Sequence, residues 1–125
     1  MQGKGQRKPL LWVGSAKDDL RGFPEEVRLV IGFALHIAQI GGKHPDSKPL
    51  KSFKGAGVLE VIEEHEGNAY RAVYTIRFPG AVYVLHAFQK KSRKAIATPK
   101  SDINLVKERL RQAEQDYEQR IQTSG

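Results

Sequence analysis

The chain contains no cysteine, which excludes disulfides, thiolate metal sites and a cysteine nucleophile. It also lacks any apolar run near the roughly 18–20 residues that span a bilayer. The polar, basic residues 1–9 are not followed by a signal-type hydrophobic region. A cytoplasmic protein with no membrane partner is therefore the expectation. No glycine-rich phosphate loop, His-Glu-x-x-His or Gly-x-Ser-x-Gly occurs. The histidines His36, His44, His65 and His86 have no metal-ligand spacing, so no metal and no cofactor are expected. Acidic residues are missing from all of residues 67–101, a stretch that carries Arg71, Arg77, Lys90, Lys91, Arg93, Lys94 and Lys100.

What is present suits one compact domain. The chain has 125 residues, 39% of them hydrophobic and 28% charged, enough for a single modest core over residues 1–125. Residues 1–8 read as a loose basic tail. The net charge of +7 points to a polyanionic partner, and its concentration in one stretch favours nucleic acid. The plainer reading is a solvated basic surface that keeps the protein soluble.

Patterning predicts the elements. Leu10-Leu11-Trp12-Val13 reads as an edge strand ending at Gly14. Ser15 is placed to cap a short helix reaching Arg21, with Asp18 and Asp19 near its positive end. Pro24 suits the first turn of a second helix. There Val27, Val30, Ile31, Ala34, Ile37, Ala38 and Ile40 recur at three- and four-residue steps as one broad apolar stripe. Gly41-Gly42 ends it, and the two helices form a hairpin. Residues 43–57 read as a surface loop carrying Lys43, Lys48, Lys51 and Lys54 against the single acid Asp46. Strands follow at 58–64, 69–78 and 81–88, joined antiparallel through Glu66-Gly67-Asn68 and Pro79-Gly80. The third is apolar on both faces and therefore central. After a basic loop, Ser101 begins a helix to about residue 121. Its seam of Ile103, Val106, Leu110, Ala113 and Tyr117 faces the sheet or a partner. The fold class is α+β.

RNA carries its own nucleophile, the 2′-hydroxyl, and can be cleaved without a metal. The protein must supply a base, an acid and positive charge for the phosphate transition state. Arginine and lysine provide the last. A tight cluster such as Lys90, Lys91, Arg93 and Lys94 also pushes a lysine pKa down, toward acid–base work. Arg71 has two readings: an open sheet face, or a salt bridge to Glu60 or Glu63. Arg77 shares its parity, which places both on one face as a basic groove. His86, grouped by alternation with Val84 and Phe88, is either a hydrogen-bonded core histidine or an acid–base residue beside the lysines. Tyr74 and Tyr83 are core or sheet-surface aromatics, with base stacking as the other reading. His36, His44 and His65 read as ordinary solvated residues.

Several segments together resemble the phage-derived RelE/HigB-like toxins of the RelE/ParE superfamily. They are Gly57-Val58-Leu59-Glu60, Tyr70-Arg71-Ala72-Val73-Tyr74, Val82 through Ser92, and Thr98-Pro99 ahead of a helix. The resemblance covers about residues 50–110. It implies a RelE-like fold: an N-terminal helical hairpin packed on a small twisted antiparallel sheet, plus a C-terminal helix. It also implies the toxin of a toxin–antitoxin system, a metal-independent endoribonuclease that cleaves messenger RNA on the ribosome and so inhibits translation. The implied partner is an antitoxin of the helix-turn-helix kind. On the same basis Arg71 contacts the scissile phosphate, and Lys90 and Lys91 assist charge stabilisation or proton transfer; His86 joins the expected catalytic set from its own position beside those lysines. The resemblance also matches Lys51, Lys54, Arg93 and Lys94, which together with Arg77, placed by its parity, are the expected RNA-binding residues. The alternatives are a non-catalytic nucleic-acid-binding phage regulatory protein, and an interaction subunit whose basic groove takes an acidic helix.

Overall fold

The computed structural model describes residues 7–53, 55–90 and 97–124. Residues 1–6 of the expected loose tail lie outside these. Lys8 is fixed: its N–H donates to the Gln39 carbonyl at 3.0 Å, and its own carbonyl accepts from Gln39 Nε2 at 2.7 Å.

The elements run β1 (Leu10–Trp12), α1 (Ala16–Arg21), α2 (Glu25–Gln39), β2 (Ser47–Pro49), a 3₁₀ turn (Lys51–Phe53), β3 (Val58–His65), β4 (Asn68–Thr75), β5 (Val82–Lys90) and α3 (Lys100–Ser124). The strands form one sheet in the order β1-β5-β4-β3-β2. The fold is α+β, with α1 and α2 on one face of the sheet and α3 on the other. None of the described helices is long and apolar enough to cross a membrane.

Local chemistry sets the boundaries. Glu66 and Gly67 both have positive φ, at 51° and 82°, so β3 and β4 are joined by a two-residue turn whose twist matches the strands. Helix α2 stops in a left-handed cap. Gly41 has φ 92°, the Gly42 N–H returns to the Ile37 carbonyl and the Gly41 N–H to the Ala38 carbonyl. Ser15 makes no cap bond to the backbone; its hydroxyl donates to Asp19 Oδ2 instead.

Three expectations need correction. The sheet is mixed, because β1 runs parallel to β5 while the other neighbours are antiparallel. Residues 43–57 are more than a loop: β2 pairs with β3, Lys48 standing opposite Glu60. Finally, β4 ends at Thr75, short of Phe78. The Thr75 hydroxyl donates to the Gly57 carbonyl and accepts the Arg77 N–H, turning the chain out of the sheet before Pro79.

The sequence-predicted seam of α3 packs on the sheet. Ile103, Val106 and Ala113 are buried there against Val73, Tyr83 and Leu85, with Leu110 and Tyr117 at the margin. One irregularity decides the layout of β5. Val73 pairs with His86 but Tyr74 pairs with Val84, so Leu85 is left over as a bulge. The Leu85 carbonyl accepts from Arg109 of α3 at 3.0 Å, and Arg109 also reaches the Ser15 hydroxyl at 3.2 Å. Gly14 makes this possible, since a Cβ there would sit 2.8 Å from the guanidinium.

Further along α3, the Tyr83 hydroxyl donates to Asp116 Oδ2 at 2.7 Å, and Arg120 Nε donates to the same oxygen at 2.6 Å. Burial, then the neighbouring carboxylate, pushes the Tyr83 hydroxyl pKa up. The Arg120 and Tyr83 hydrogen bonds hold the Asp116 carboxyl below its ordinary value.

Two outcomes follow from these contacts. Replacing Arg109 by Met leaves the Leu85 carbonyl without its donor and should cost about 1–3 kcal/mol in urea unfolding. Because the Asp116 pKa is lower in the folded than in the unfolded chain, its contribution is present above about pH 3.9 and is lost as pH falls through the folded value. The acid-side drop in unfolding midpoint should therefore be smaller in Asp116→Asn than in wild type. Tyr83 shifts the opposite way, so stability should also decline as pH rises above about 10, less so in Tyr83→Phe.

Candidate functional site

Alternation along β4 sends Tyr70, Ala72 and Tyr74 toward α1 and α2, and Arg71 and Val73 toward α3. On β3 the same alternation puts Leu59 and Val61 against the helical pair and Glu60 on the α3 side. The register then fixes a row. Lys48, Glu60, Val73 and His86 stand opposite one another across β2, β3, β4 and β5. Arg71 lies two residues along β4 from Val73, on the same face.

Arg71 is 1% exposed. Its Nη1 donates to Glu60 Oε2 at 3.3 Å and to the Thr98 hydroxyl at 3.0 Å, while that hydroxyl donates to the same Glu60 oxygen at 2.6 Å. The open-face reading is corrected. The strand arginine is buried, and its first partner is the Glu60 that the alternative named.

His86 is also buried. Its Nε2 lies 2.8 Å from Asp102 Oδ1, and Lys90 Nζ lies 3.8 Å from the other oxygen of that carboxylate. The ring stacks on Phe88, centroids 4.5 Å apart and planes at 20°. An Nε2–H donated to Asp102 leaves Nδ1 as the nitrogen with a free lone pair, and Nδ1 has no hydrogen-bond partner among the described residues. The bulge corrects the expected grouping. Val84 faces the helical pair, whereas His86 reaches Asp102 of α3 on the side of Leu85 and Phe88. Without the extra residue, His86 would point the other way.

The remaining sequence-predicted residues separate. Arg77 is exposed beyond the end of β4, its guanidinium over the Phe78 ring at 5.7 Å, where it lines a pocket of about 520 Å³ with Gly55, Ala56, Gly57 and Ile76. The parity argument for a shared groove with Arg71 is corrected, since the strand has already ended. Lys51 is exposed on the 3₁₀ turn, past the paired part of β2. Lys54, Lys91, Arg93 and Lys94 lie outside the described residues. Tyr74 and Tyr83 are core residues with bonded hydroxyls. Burial pushes the Tyr74 hydroxyl pKa up against the lowering effect of its bond to Ser47.

Sequence reading missed Asp102 and Lys48 as members of this face, and gave Glu60 only as a salt-bridge partner. Asp102 carries no sequence signal beyond its place at the helix start. Lys48 lay in a segment with no strand signal. For Glu60 the signal existed: an acid at an inward position of a strand facing an arginine strand.

Residues 18–111, more than half of the chain, match the family described as Phage derived protein Gp49-like (DUF891). The chain belongs to that family, which is of the RelE/ParE toxin type. A comparison with curated proteins finds no match. Among solved structures, a chain of the RelBE2 toxin–antitoxin complex from Mycobacterium tuberculosis superposes with a TM-score of 0.41 at 20% identity, over 71% of this chain and 98% of that one.

The Arg71–Glu60 pair generates a stability test. Breaking a buried ion pair from one side leaves the other charge stranded, at about 3–5 kcal/mol. Arg71 keeps the Thr98 hydroxyl in Glu60→Gln, so the loss in urea unfolding should be smaller, at about 1–3 kcal/mol. If the loss is below 1 kcal/mol, Glu60 is not what holds Arg71.

Proposed function

We propose that the chain, acting as a single domain, is the toxin of a toxin–antitoxin system and cleaves messenger RNA without a metal on the ribosome. The observation that carries this reading is the row across the sheet. Glu60 and His86 flank Val73 on one face, two strand spacings apart or about 9.5 Å between backbones, with Arg71 beside the gap. That separation admits a phosphodiester between a carboxylate and an imidazole.

In this mechanism Glu60 takes the 2′-hydroxyl proton. The 2′-oxygen attacks the adjacent phosphorus, and protonated His86 gives its proton to the departing 5′-oxygen, leaving a 2′,3′-cyclic phosphate and a 5′-hydroxyl end. Arg71 and Lys90 neutralise the charge that builds on the phosphate oxygens. Asp102 orients the imidazole. Lys91 acts with Lys90 at the phosphate, Arg93, Lys94, Lys54, Lys51 and Arg77 extend the RNA contacts, and Lys48, opposite Glu60, joins them. A helix-turn-helix antitoxin is the second partner, and the cytoplasm is where both would be met.

The burial of Arg71 bears on this reading. Thr98 and Asp102, from the segment that opens α3, already occupy the cations. The Thr98 contact to Arg71 is one that a phosphate oxygen replaces, so substrate entry requires Thr98 to yield while Asp102 stays on the imidazole. The same burial favours the second reading, a non-catalytic nucleic-acid-binding regulator in which those ion pairs are permanent.

The test is induced expression in a bacterial host lacking an antitoxin, with growth scored and messenger-RNA ends mapped. Wild type should arrest growth and create new RNA ends. His86→Ala should slow cleavage about 10²–10⁴-fold. Lys90→Ala, at a half-exposed position 3.8 Å from Asp102, should weaken it less. Normal growth with intact messages from folded wild-type protein sinks the nuclease reading and leaves the binding one.

A further inference from the structure

Thr98 completes the buried charge pair from outside the sheet. Its Oγ1 is 2.6 Å from Glu60 Oε2 and 3.0 Å from Arg71 Nη1, and those two atoms are 3.3 Å apart. One hydroxyl thus closes a triangle, donating to the carboxylate and accepting from the guanidinium.

A ribonucleotide in the same place makes the same two contacts. In the proposed cleavage Glu60 receives the 2′-hydroxyl proton and Arg71 a phosphate oxygen. The likeness extends to the carbon that bears the oxygen. Threonine is a secondary alcohol, its Cβ flanked by Cα and the methyl group, as C2′ of ribose is flanked by C1′ and C3′. Serine offers only a primary alcohol.

The attachment of Thr98 suits exchange. Helix α3 begins at Lys100, and the Ile103 N–H donates to the Pro99 carbonyl at 3.0 Å. Thr98 lies one residue outside that bond. Turning its side chain about Cα–Cβ withdraws the hydroxyl and leaves the Asp102 contact to the imidazole in place. Thr98 is half-buried while Arg71 is covered, so the threonine reaches solvent where the guanidinium does not.

We propose that Thr98 is a built-in competitor for substrate. Its hydroxyl holds the contacts of the ribose 2′-hydroxyl and the adjacent phosphate, and RNA displaces it to reach Glu60 and Arg71. The proposal rests on RNA being the ligand of this face, and adds that the empty site is occupied by the chain itself. Its signature is a gain. Removing a hydroxyl that only supports the fold leaves binding unchanged or weaker, whereas removing a competitor tightens it.

Ribonucleoside 3′-monophosphates are the probes, because they carry both groups and have no 5′-linked leaving group to lose. They are titrated into the full chain by nuclear magnetic resonance. Thr98→Val and Thr98→Ala should bind them about tenfold tighter than wild type, on the scale of one hydrogen bond to a charged partner. Thr98→Ser keeps the hydroxyl and should return to within about threefold of wild type. In Thr98→Val the 2′-deoxy compounds should bind roughly fivefold more weakly than the ribose ones, since only the latter bring a donor to Glu60. Equal, weaker or absent binding in both hydroxyl-free variants overturns the proposal. So does a Thr98→Val protein indifferent to the 2′-hydroxyl. The nuclease reading is decided separately by message ends. Intact messages with tighter nucleotide binding remove cleavage and keep the competitor, and cleaved messages with no tightening do the reverse.

Discussion

The bond from Arg109 to the Leu85 carbonyl is the point on which the two sides of the sheet are reconciled. A strand buried on both faces normally commits every main-chain group to its neighbours. The bulge in β5 breaks that rule at Leu85 and leaves an acceptor that must be satisfied in the interior. Arg109 satisfies it from α3 and continues to Ser15 ahead of α1. A single guanidinium thus ties the helix on one face to the approach of the helices on the other. The left-handed Gly14, whose missing side chain is the space Arg109 uses, belongs to the same arrangement.

The bulge also decides which side His86 serves. Before it, β5 alternates Val82 and Val84 toward the helical pair and Tyr83 and Leu85 toward α3. After it, His86 and Phe88 take the α3 side and Ala87 the other. The imidazole consequently joins Glu60 and Arg71 on a surface where the sheet is otherwise apolar. Polar groups so placed need partners close at hand, and each has one: Arg71 the Glu60 carboxylate and the Thr98 hydroxyl, His86 the Asp102 carboxylate. Basic residues on a strand face would otherwise be costly to keep beneath a helix.

This also explains which parts of the molecule could be read from its residues. The β3–β4 hairpin was legible because Glu66-Gly67-Asn68 sits between alternating runs, and the α3 seam because its spacing is regular. Strand β2 was not, since Ser47-Lys48-Pro49 has no apolar alternation and contains a residue that cannot donate to a ladder. The parallel pairing of β1 with β5 joins segments some seventy residues apart, which no local pattern encodes. Parity failed at both ends of its use, at His86 because an inserted residue inverts it and at Arg77 because the strand stops first. The burial of Arg71 was half legible. Glu60 could be named from cross-strand pairing, but Thr98 arrives from 27 residues away. In α2 the three- and four-residue periodicity picked out Val27, Ile31, Ala34 and Ala38, which are buried, but passed over the buried Leu35 and the exposed Leu29 and Phe33.

The attachments of α3 differ along its length in a way that matters for the site. Its middle and later turns are held by apolar packing of Val106 and Ala113, by Arg109, and by the Tyr83–Asp116 and Tyr117–Pro79 bonds. Its approach and first turn, from Thr98 to Asp102, are held largely by polar contacts to Arg71, Glu60, His86 and Lys90, backed by Ile103. Apolar burial is lost outright when surfaces part, because water gives nothing equivalent in return. A hydrogen bond or ion pair to a cation is exchangeable, since another anion brought to the same place restores most of it. An anionic ligand directed at Arg71 therefore competes with Glu60 and with Thr98 at the approach to α3. The rest of the helix, and with it the bulge that aims His86, stays in place while that exchange occurs.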